Sequence, residues 1–456
     1  MSELIESEVM AWIESAVGAK VIKHERQARE YGGGRPAWFV TCQNGGGSTR
    51  YYIRGNRGPS FEYNSVYSLV REARLLKLLH QHGIPVPRVI AESAEPYAVA
   101  LEFVEGEDDF TLIKDQAQRD EYGRQFGKIM AQWHAIPAQE FEQIGFSIPQ
   151  TAQEYLVQDL EVWEKGCFPH LKEPVPLVSF CCQWLRRNTP EAPKRPVLAQ
   201  GDTGPGQFLF KDGRITAVVD WELAFIGDPM NDLARMRTRD MWYPTGNLPK
   251  WLRYYSEYSG TPLDLDKLRY YSVIAMLTTA LALGPVAQAV DPRDAHAEWI
   301  SEDMWSKRAT IECLAEAINV KLEPPVIPTP EPSPRLARLF DVLEENLREE
   351  HLSGLTDPYL RYRLNMDLRL LTHIRHLTEF GREVEKQDLD DMKQFLGRRP
   401  KNRLAAMTAM EKFVRKAGPE LDADLTRYFY RHAMREEAVM RGAQGRCENS
   451  VVPRIE

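Results

Sequence analysis

A proline-rich run is the feature that most limits how this chain can fold. Residues 324–334 read PPVIPTPEPSP and contain six prolines in eleven positions. Proline fixes the backbone φ angle and lacks an N–H donor, so a helix cannot continue through such a run and extended polyproline geometry is favoured. All ten tryptophans lie before it, between Trp12 and Trp305. The run predicts a linker over residues 323–334 between two units, with a rigid strap packed along one unit as the alternative.

The composition is that of a globular protein without a strongly basic surface. Charged residues make up 27% and hydrophobic residues 43% of the 456 positions, which is typical of folded domains. The net charge of −8 argues against a nucleic-acid partner. The six cysteines show neither zinc-ligand spacing nor a disulfide framework, and the first residues, MSELIESEVMAW, do not resemble a signal peptide. We therefore expect a cytoplasmic protein with reduced thiols.

One long apolar run raises the question of a membrane span. Residues 270–290 carry no charge over 21 positions, which is long enough to cross a bilayer. The run also contains polar side chains and a Gly284-Pro285 break. We interpret it as a buried core helix rather than a membrane helix, so no membrane partner is predicted.

Strand and helix patterns alternate at the start of the chain. Strand-like runs cover residues 20–28, 37–42, 49–54 and 98–104. Helical spacing of apolar residues marks 4–17 and 66–83, and the pattern from about residue 117 to the linker is mainly helical. These patterns predict an α+β fold, with a β-rich lobe over residues 1–104 that holds a five-stranded antiparallel sheet. A helical lobe follows over residues 105–322.

After the linker, residues 335–456 predict an all-helical domain. Apolar residues recur at helical spacing over 335–350, 358–385, 403–416 and 421–441. These amphipathic helices must bury their apolar faces against something. We expect that surface to be the helical lobe or a second subunit, so a homo-oligomer formed through this domain is one predicted assembly.

Two carboxylates in residues 197–236 suggest the chemistry. The segment reads as strand, sharp loop, hairpin and strand, with Asp202 in the loop and Asp220 at the end of the returning strand. Carboxylates at the ends of neighbouring strands suit metal-dependent phosphoryl transfer, in which one takes the proton of an acceptor hydroxyl and the other binds Mg²⁺. Acidic residues in loops are usually only solvated, so the spacing alone is weak evidence.

The surrounding block is more specific. GDTGPGQFLF, starting at Gly201, and VVDWELAFIGDPMNDLA, ending at Ala234, resemble the catalytic core of the aminoglycoside phosphotransferase/choline kinase-like family. The resemblance is strongest to the branch associated with acyl-CoA dehydrogenases and covers roughly residues 5–320. It implies a protein-kinase-like two-lobed fold, with ATP and Mg²⁺ as cofactors bound between the lobes.

The resemblance also assigns roles to individual carboxylates. Asp202 corresponds to the catalytic base and Asp220 to the Mg²⁺ ligand. Asp228 and Asp232 match positions that brace the catalytic loop, although a turn and a helix cap are the simpler interpretation of both.

Two glutamines depart from the family pattern. Gln200 stands where a histidine usually orients the loop, and its amide can donate hydrogen bonds to the backbone. Gln207 stands where an asparagine usually binds metal, and it keeps the carbonyl oxygen on a longer side chain. Because both carboxylates are present, we favour an active kinase over an inactive one.

The resemblance extends into the β-rich lobe. Gly32, Gly33 and Gly34 fit the glycine-rich turn that covers nucleotide phosphates, with a flexible turn as the alternative. Arg54 matches the phosphate-binding cation and Glu72 its helix partner, with an exposed strand-end residue as the alternative for Arg54.

The connection between the lobes and the next helix supply the remaining predicted contacts. The backbones of Glu102 and Val104 correspond to the adenine-binding connection. Arg235, Arg237 and Arg239 form a basic cluster in sequence that suits an anionic acceptor or ADP phosphates, with a solvated helix face as the alternative. A polycationic aminoglycoside would prefer an acidic pocket.

The predicted C-terminal domain, residues 335–456, bears on the acceptor only through the proteins that usually accompany such a domain. It resembles a small helical domain of unknown function that accompanies this kinase branch, whose members near acyl-CoA dehydrogenases can phosphorylate a hydroxyacyl-CoA. We therefore expect an ATP/Mg²⁺-dependent phosphotransferase acting on the hydroxyl of a small molecule, such as a hydroxyacyl-CoA or hydroxy acid. The alternatives are a kinase of an aminoglycoside, choline or a sugar, and a non-catalytic nucleotide-binding pseudokinase.

Overall fold

The first lobe is an antiparallel sheet with a helix on each face. The computed structural model of the protein describes residues 6–27, 36–55, 68–93, 97–289 and 296–456. The strands are β1 (Lys20–Arg26), β2 (Ala37–Asn44), β3 (Gly47–Gly55), β4 (Val89–Glu92) and β5 (Ala98–Glu102), and the helices are α1 (Glu6–Val17) and α2 (Leu69–Gln81). The sheet order is β1-β2-β3-β5-β4 with antiparallel neighbours. The predicted five-stranded sheet is confirmed.

Strand alternation explains how both helices attach to this sheet. Ala98 and Ala100 of β5 are buried in a cluster with Val9 of α1. Val99 and Leu101, which point to the opposite face because strand side chains alternate, join the main core together with the apolar residues of α2. The sheet therefore links a small outer core to the large core that continues into the second lobe.

The second lobe is mainly helical, with four short strands. The helices are α3 (Gln116–Ala135), α4 (Ala138–Glu142), α5 (Ala152–Leu156), α6 (Val162–Cys167), α7 (Pro176–Arg187), α8 (Pro229–Asp240), α9 (Leu248–Ser259), α10 (Leu265–Ala287) and α11 (His296–Ala317). The strands are β6 (Val197–Ala199), β7 (Phe208–Lys211), β8 (Arg214–Val218) and β9 (Phe225–Gly227). Between β7 and β8, Asp212 and Gly213 both have left-handed φ angles, of 50° and 77°. This is the predicted hairpin turn.

The uncharged run lies in the core of this lobe. It forms most of α10, a 23-residue helix whose most apolar window has a mean hydropathy of 1.5 and is 78% buried inside the protein. The helix packs against α8 and α11. A helix that is apolar on all sides is explained by burial on all sides.

The segment after the prolines forms five helices, some of which continue through irregular turns. They are α12 (Pro334–Glu345), α13 (Pro358–His376), α14 (Arg382–Leu396), α15 (Arg403–Val414) and α16 (Asp422–Ala438). The sequence prediction ended the second helix at residue 385, whereas helical structure continues to Leu396. The buried face of α14 includes Asp388, which pairs with Arg435 at 2.7 Å. Because Asp388 is a charged residue on the buried face, it interrupts the helical spacing of apolar residues by which the sequence prediction placed the end of this helix.

The C-terminal helices share one hydrophobic core with the helical lobe. Phe180 of α7 stacks on Phe429 of α16 with ring centroids 5.5 Å apart, and both belong to the same buried cluster. The Ser179 hydroxyl donates to Glu411 at 2.6 Å. Within the proline-rich run, Ile327 packs on a cluster from α14 and α16, which is the contact expected of a strap. The division of the chain into separate units stays a prediction.

The shared core predicts that a substitution after the prolines destabilises the first two lobes. Phe429→Ala removes a buried ring, which typically lowers the free energy of unfolding by about 3–5 kcal/mol. Because all tryptophans precede the proline-rich run, denaturant unfolding followed by tryptophan fluorescence reports on the lobes alone, and we expect that transition to move to lower denaturant. Tyr359→Ala, at a side chain that is 59% exposed, is the control. An unchanged fluorescence transition together with an earlier loss of helical circular dichroism would show two independent units.

Candidate active site

The loop between β6 and β7 is pressed against its neighbours through glycines. Gly201 has a φ of 87°, and a Cβ there would overlap the carbonyl of Leu223. Gly206 has a φ of 83°, and a Cβ there would overlap the guanidinium of Arg239 and the ring of Tyr243. Glycine is needed at both positions because of the left-handed backbone and the close approach. The GDTGPG sequence thus fixes Asp202 in a narrow space beside α8.

Asp232 holds this loop from behind. Its fully buried carboxylate accepts the backbone N–H groups of Gln200 at 3.1 Å and Gly201 at 3.3 Å, and also the Thr203 hydroxyl. The other carboxylate oxygen contacts Nε2 of His134 at 3.1 Å. A buried carboxylate with this many donors is well satisfied, and the geometry supports the predicted bracing role.

Sequence reasoning missed the two residues that orient Asp232 from the far side. The second ring nitrogen of His134, Nδ1, lies 2.8 Å from the Tyr255 hydroxyl, and both side chains are buried. A histidine and a tyrosine on separate helices give no local motif, so only their meeting in the fold reveals the chain Tyr255–His134–Asp232.

Asp228 has a different task. Its carboxylate accepts the backbone N–H of Met230 at 2.9 Å, capping α8, and pairs with Lys267 at 2.7 Å. In the described part of the chain it makes no hydrogen bond to the loop between β6 and β7. The simpler interpretation, a helix cap, replaces the loop-bracing role that the family pattern predicted for Asp228.

Gln200 connects the loop to the strand end that carries Asp220. Its Nε2 donates to the carbonyls of Val219 at 2.8 Å and Asp220 at 3.1 Å, which is the backbone contact predicted for this amide. Asp220 itself has a left-handed φ of 58°, an unfavourable conformation for a residue with a side chain that neighbours must hold in place. Gln200 therefore fixes the relative placement of the two carboxylate-bearing segments.

The carboxylate of Asp202 is held at one oxygen. Oδ2 accepts from Nε2 of Gln207 and lies 3.3 Å from a guanidinium nitrogen of Arg239. Burial raises the pKa of Asp202, Arg239 lowers it and the nearby Asp220 raises it, and the net result is a pKa above the usual value. A carboxylate with a raised pKa is a stronger base when ionised. The predicted metal ligand Gln207 thus contacts the predicted base directly.

Arg54 gathers three carboxylates at the edge of the β-rich lobe. It pairs with Glu72 as predicted, and its other terminal nitrogen lies 3.2 Å from Asp220 and 3.3 Å from Glu222. Burial opposes the charge, but these carboxylates outweigh it and hold the pKa of Arg54 above its usual value. Arg54 is only 5% exposed, which excludes the strand-end alternative. Glu222 was missed, although its place two residues after Asp220 offered a signal.

A cleft of about 430 Å³ separates the two lobes at this point. Its polar end is formed by Arg54, Gln207 and Asp220, and Leu101 and Leu209 contribute apolar surface. The predicted adenine contacts also line the cleft; they are Glu102 and Val104. The backbone N–H of Glu102 already donates to the Arg88 carbonyl at 2.8 Å, so Glu102 has only its carbonyl to offer an adenine. Gly32, Gly33 and Gly34 lie outside the described residues, and their role stays a prediction.

The three arginines of α8 do not form the predicted cluster. Arg235 binds the Thr278 hydroxyl at 2.9 Å, and Arg237 binds Glu316 at 2.5 Å and the Pro453 carbonyl at 2.7 Å. Of the three, only Arg239 has a hydrogen bond to the loop between β6 and β7 among the described residues, at Asp202 and at the Pro205 carbonyl. Every residue of α8 is buried, so its side chains are directed to separate neighbours. The solvated-face alternative fails for the same reason.

The fold and site together define a kinase-like phosphotransferase. Two lobes enclose a cleft, and an acidic strand end and an acidic loop meet beside it. The chain belongs to the phosphotransferase enzyme family, whose model matches residues 34–271 and so more than half of the 456 residues. The resemblance found in the sequence is confirmed.

The curated proteins that match this chain share only about a quarter of its residues over the aligned region. The chain is 27% identical to acyl-CoA dehydrogenase family member 11 of Homo sapiens over 230 residues, which are 48% of this chain and 29% of that protein. It is 24% identical to the Rattus norvegicus protein of that name over 292 residues, 59% of this chain and 37% of the relative. The chain thus spans about a third of the length of these curated relatives.

A solved structure supports the fold. The crystal structure of a candidate aminoglycoside phosphotransferase from Ralstonia eutropha JMP134 aligns with a TM-score of 0.53 and 19% identity, covering 70% of this chain and 100% of that one. At this identity the likeness bears on architecture alone, and it confirms the predicted kinase-like two-lobed fold.

The Arg239–Asp202 contact predicts a shift in pH dependence. If Asp202 acts as a base it must be ionised, and Arg239 favours the ionised form. Arg239→Gln should therefore raise the pKa of Asp202 and move the acidic limb of the kcat/KM profile to higher pH. Arg237→Gln, the same change on the same helix but away from the loop, is the control and should leave that limb in place. An unshifted limb in both variants would mean that Asp202 is not the titrating base.

Proposed function

We propose that this protein is an ATP- and Mg²⁺-dependent phosphotransferase that acts on the hydroxyl of a small molecule. The observation that carries the proposal is that Asp202 and Asp220 lie near each other beside the interlobe cleft. Gln200 connects the two segments that carry them, and Arg54 contacts Asp220. Family membership supports phosphoryl transfer as the reaction class. ATP as the nucleotide, Mg²⁺ as the metal and the choice of acceptor are parts of this proposal.

The residues at the polar end of the cleft fit a divalent cation. Asp220 and the amide oxygen of Gln207 line the cleft, and Glu222 lies behind them against Arg54. All three offer hard oxygen donors of the kind Mg²⁺ prefers. Asp220, Glu222 and Glu72 bring more negative charge than Arg54 alone can balance, which favours an added cation. Mg²⁺ held by these residues would neutralise the negative charge that develops on the nucleotide phosphates during transfer.

The chain's own residues account for the proton transfer. Among the described residues, both side-chain contacts of Asp202 use Oδ2, which leaves Oδ1 to accept the proton of the acceptor hydroxyl. As that proton moved to Asp202, the acceptor oxygen would form a bond to the γ-phosphorus of ATP. The bond between that phosphorus and the β–γ bridging oxygen would break, and ADP would leave with the bridging oxygen. Arg239 and Gln207 hold the carboxylate in one orientation, and Arg54 offers its guanidinium to the phosphates.

The acceptor that the site favours is an anionic hydroxy compound, a hydroxyacyl-CoA or hydroxy acid. Arg239 places a buried positive charge beside the base, which suits an anionic acceptor better than a polycation. The relatives named acyl-CoA dehydrogenase family member 11 support a link to acyl thioesters. A cytoplasmic location belongs to the same proposal, supported by six free and buried cysteines.

Two other functions have specific support. Membership of the phosphotransferase enzyme family, together with the resemblance to aminoglycoside phosphotransferases and choline kinases, keeps an aminoglycoside, choline or a sugar as acceptor. The glutamines at positions 200 and 207 keep a pseudokinase as the third candidate. A panel of these acceptors with ATP and Mg²⁺ separates them, since a pseudokinase binds nucleotide but turns over none.

Substitution of the two carboxylates tests the assigned roles. Asp202→Asn should leave ATP binding nearly intact and lower kcat by about 10²–10⁴-fold, the usual contribution of a positioned base. Asp220→Ala should also weaken Mg²⁺-nucleotide binding, measured by calorimetry, because the metal loses an anionic ligand. Asp212→Asn, in the hairpin turn of the same segment, is the matched control. Equal and small effects at both positions would place the reaction elsewhere.

Gln207 tests whether the metal site includes an amide. If Gln207 is a metal ligand, Gln207→Ala should raise the Mg²⁺ concentration needed for half-maximal activity. Gln207→Asn should retain or improve activity because it keeps a carbonyl oxygen. If the amide serves only to orient Asp202, both variants should lower kcat without changing the Mg²⁺ requirement. Titrating activity against Mg²⁺ distinguishes the two roles.

A further inference from the structure

Helix α12, the first helix after the proline-rich run, exposes an apolar stripe. None of its twelve residues is buried. Its stripe consists of Leu336, Leu339, Val342 and Leu343, of which Leu339 is 60% and Val342 58% exposed. An amphipathic helix normally turns such a stripe toward a partner. A neighbouring face of the helix is half-buried instead and includes Ala337, Phe340 and Glu344. Beside that face, Asp341 pairs with Arg375 of α13 at 2.8 Å.

The charges along α12 are segregated toward its two ends. Arg335 and Arg338 lie in the first turns, whereas Glu344, Glu345 and Glu349 lie in and just beyond the last turn. Among the described residues, Arg335, Arg338, Glu345 and Glu349 have no ion-pair partner. At the acidic end Arg348 pairs with Glu344 at 3.0 Å, which leaves the negative charges of Glu345 and Glu349 unbalanced. The helix is therefore basic at one end and net acidic at the other, with the apolar stripe between.

We propose that the stripe is covered by α12 of a second copy of this chain, packed antiparallel about a two-fold axis near the middle of the stripe. In this arrangement Leu339 packs against Leu343 of the partner subunit, and Arg338 lies within one turn of Glu345 of the partner subunit. A two-fold axis makes both pairings occur twice. A parallel copy would place like charges together, which is unfavourable.

Charge complementarity favours a second copy over other occupants. A segment that fits this stripe must be apolar in its centre, acidic where α12 is basic and basic where it is acidic. The reversed helix itself meets that requirement. An anionic membrane surface does not, because the glutamates at the end of α12 would face it. The proposal concerns assembly and does not depend on the phosphotransferase function.

The first test is the mass of the full chain in solution. Analytical ultracentrifugation should give a concentration-dependent species of twice the 52.4 kDa chain mass. Leu339→Glu with Val342→Glu should halve that mass while leaving the far-ultraviolet circular dichroism unchanged. Val326→Glu, at a side chain that is 85% exposed outside the stripe, is the control and should remain dimeric. A monomeric parent chain, or a dimer that survives the double change, overturns the proposal.

The second test fixes the direction of packing. All six natural cysteines are buried, so cysteines introduced on α12 are the accessible ones. A mixture of Arg338→Cys and Glu345→Cys chains should form an interchain disulfide under mild oxidation, whereas either variant alone should form little. Seven residues along a helix separate like positions by about 10 Å, beyond the reach of a disulfide. Equal cross-linking by Arg338→Cys alone would indicate a parallel pair and contradict the proposal.

Discussion

The buried carboxylate of Asp232 is the interaction on which the site depends. One of its oxygens holds the loop through Gln200, Gly201 and Thr203, and the other meets His134. Since Asp232 is fully buried on α8, any displacement of that helix moves the loop and therefore Asp202. The placement of Asp202 therefore follows from packing in the helical lobe, and Gln200 links that placement to the strand end that carries Asp220.

Helix α8 also joins the site to the C-terminal segment. Arg239 contacts Asp202, and two residues earlier Arg237 binds the Pro453 carbonyl. The same segment shares the core of the lobe through the stack of Phe180 on Phe429. The helices after the prolines are thus part of the packing that positions α8, although they contribute no group to the cleft among the described residues.

Charge balance explains the polar end of the cleft. Arg54 is buried between Glu72, Asp220 and Glu222, and burying a charge is unfavourable unless opposite charges compensate for it. The carboxylates exceed the single guanidinium, so the site is organised for further positive charge. At the opposite side of the loop, Arg239 partly offsets the burial of Asp202. The two aspartates therefore sit in different electrostatic surroundings, which suits different roles.

The sequence by itself determined the elements whose signals are local: the five-stranded sheet, the hairpin at Asp212, the core helix α10, and the Asp202 and Asp220 positions in their specific block. Only the tertiary structure decided which distant groups meet. It brought His134 and Tyr255 to Asp232, added Glu222 to Arg54, made Asp228 a helix cap and separated the arginines of α8. It also continued the second C-terminal helix past residue 385 and joined it to the lobe's core. The physical reason is that periodicity and turn chemistry act over a few residues, whereas burial and charge pairing depend on neighbours from remote parts of the chain.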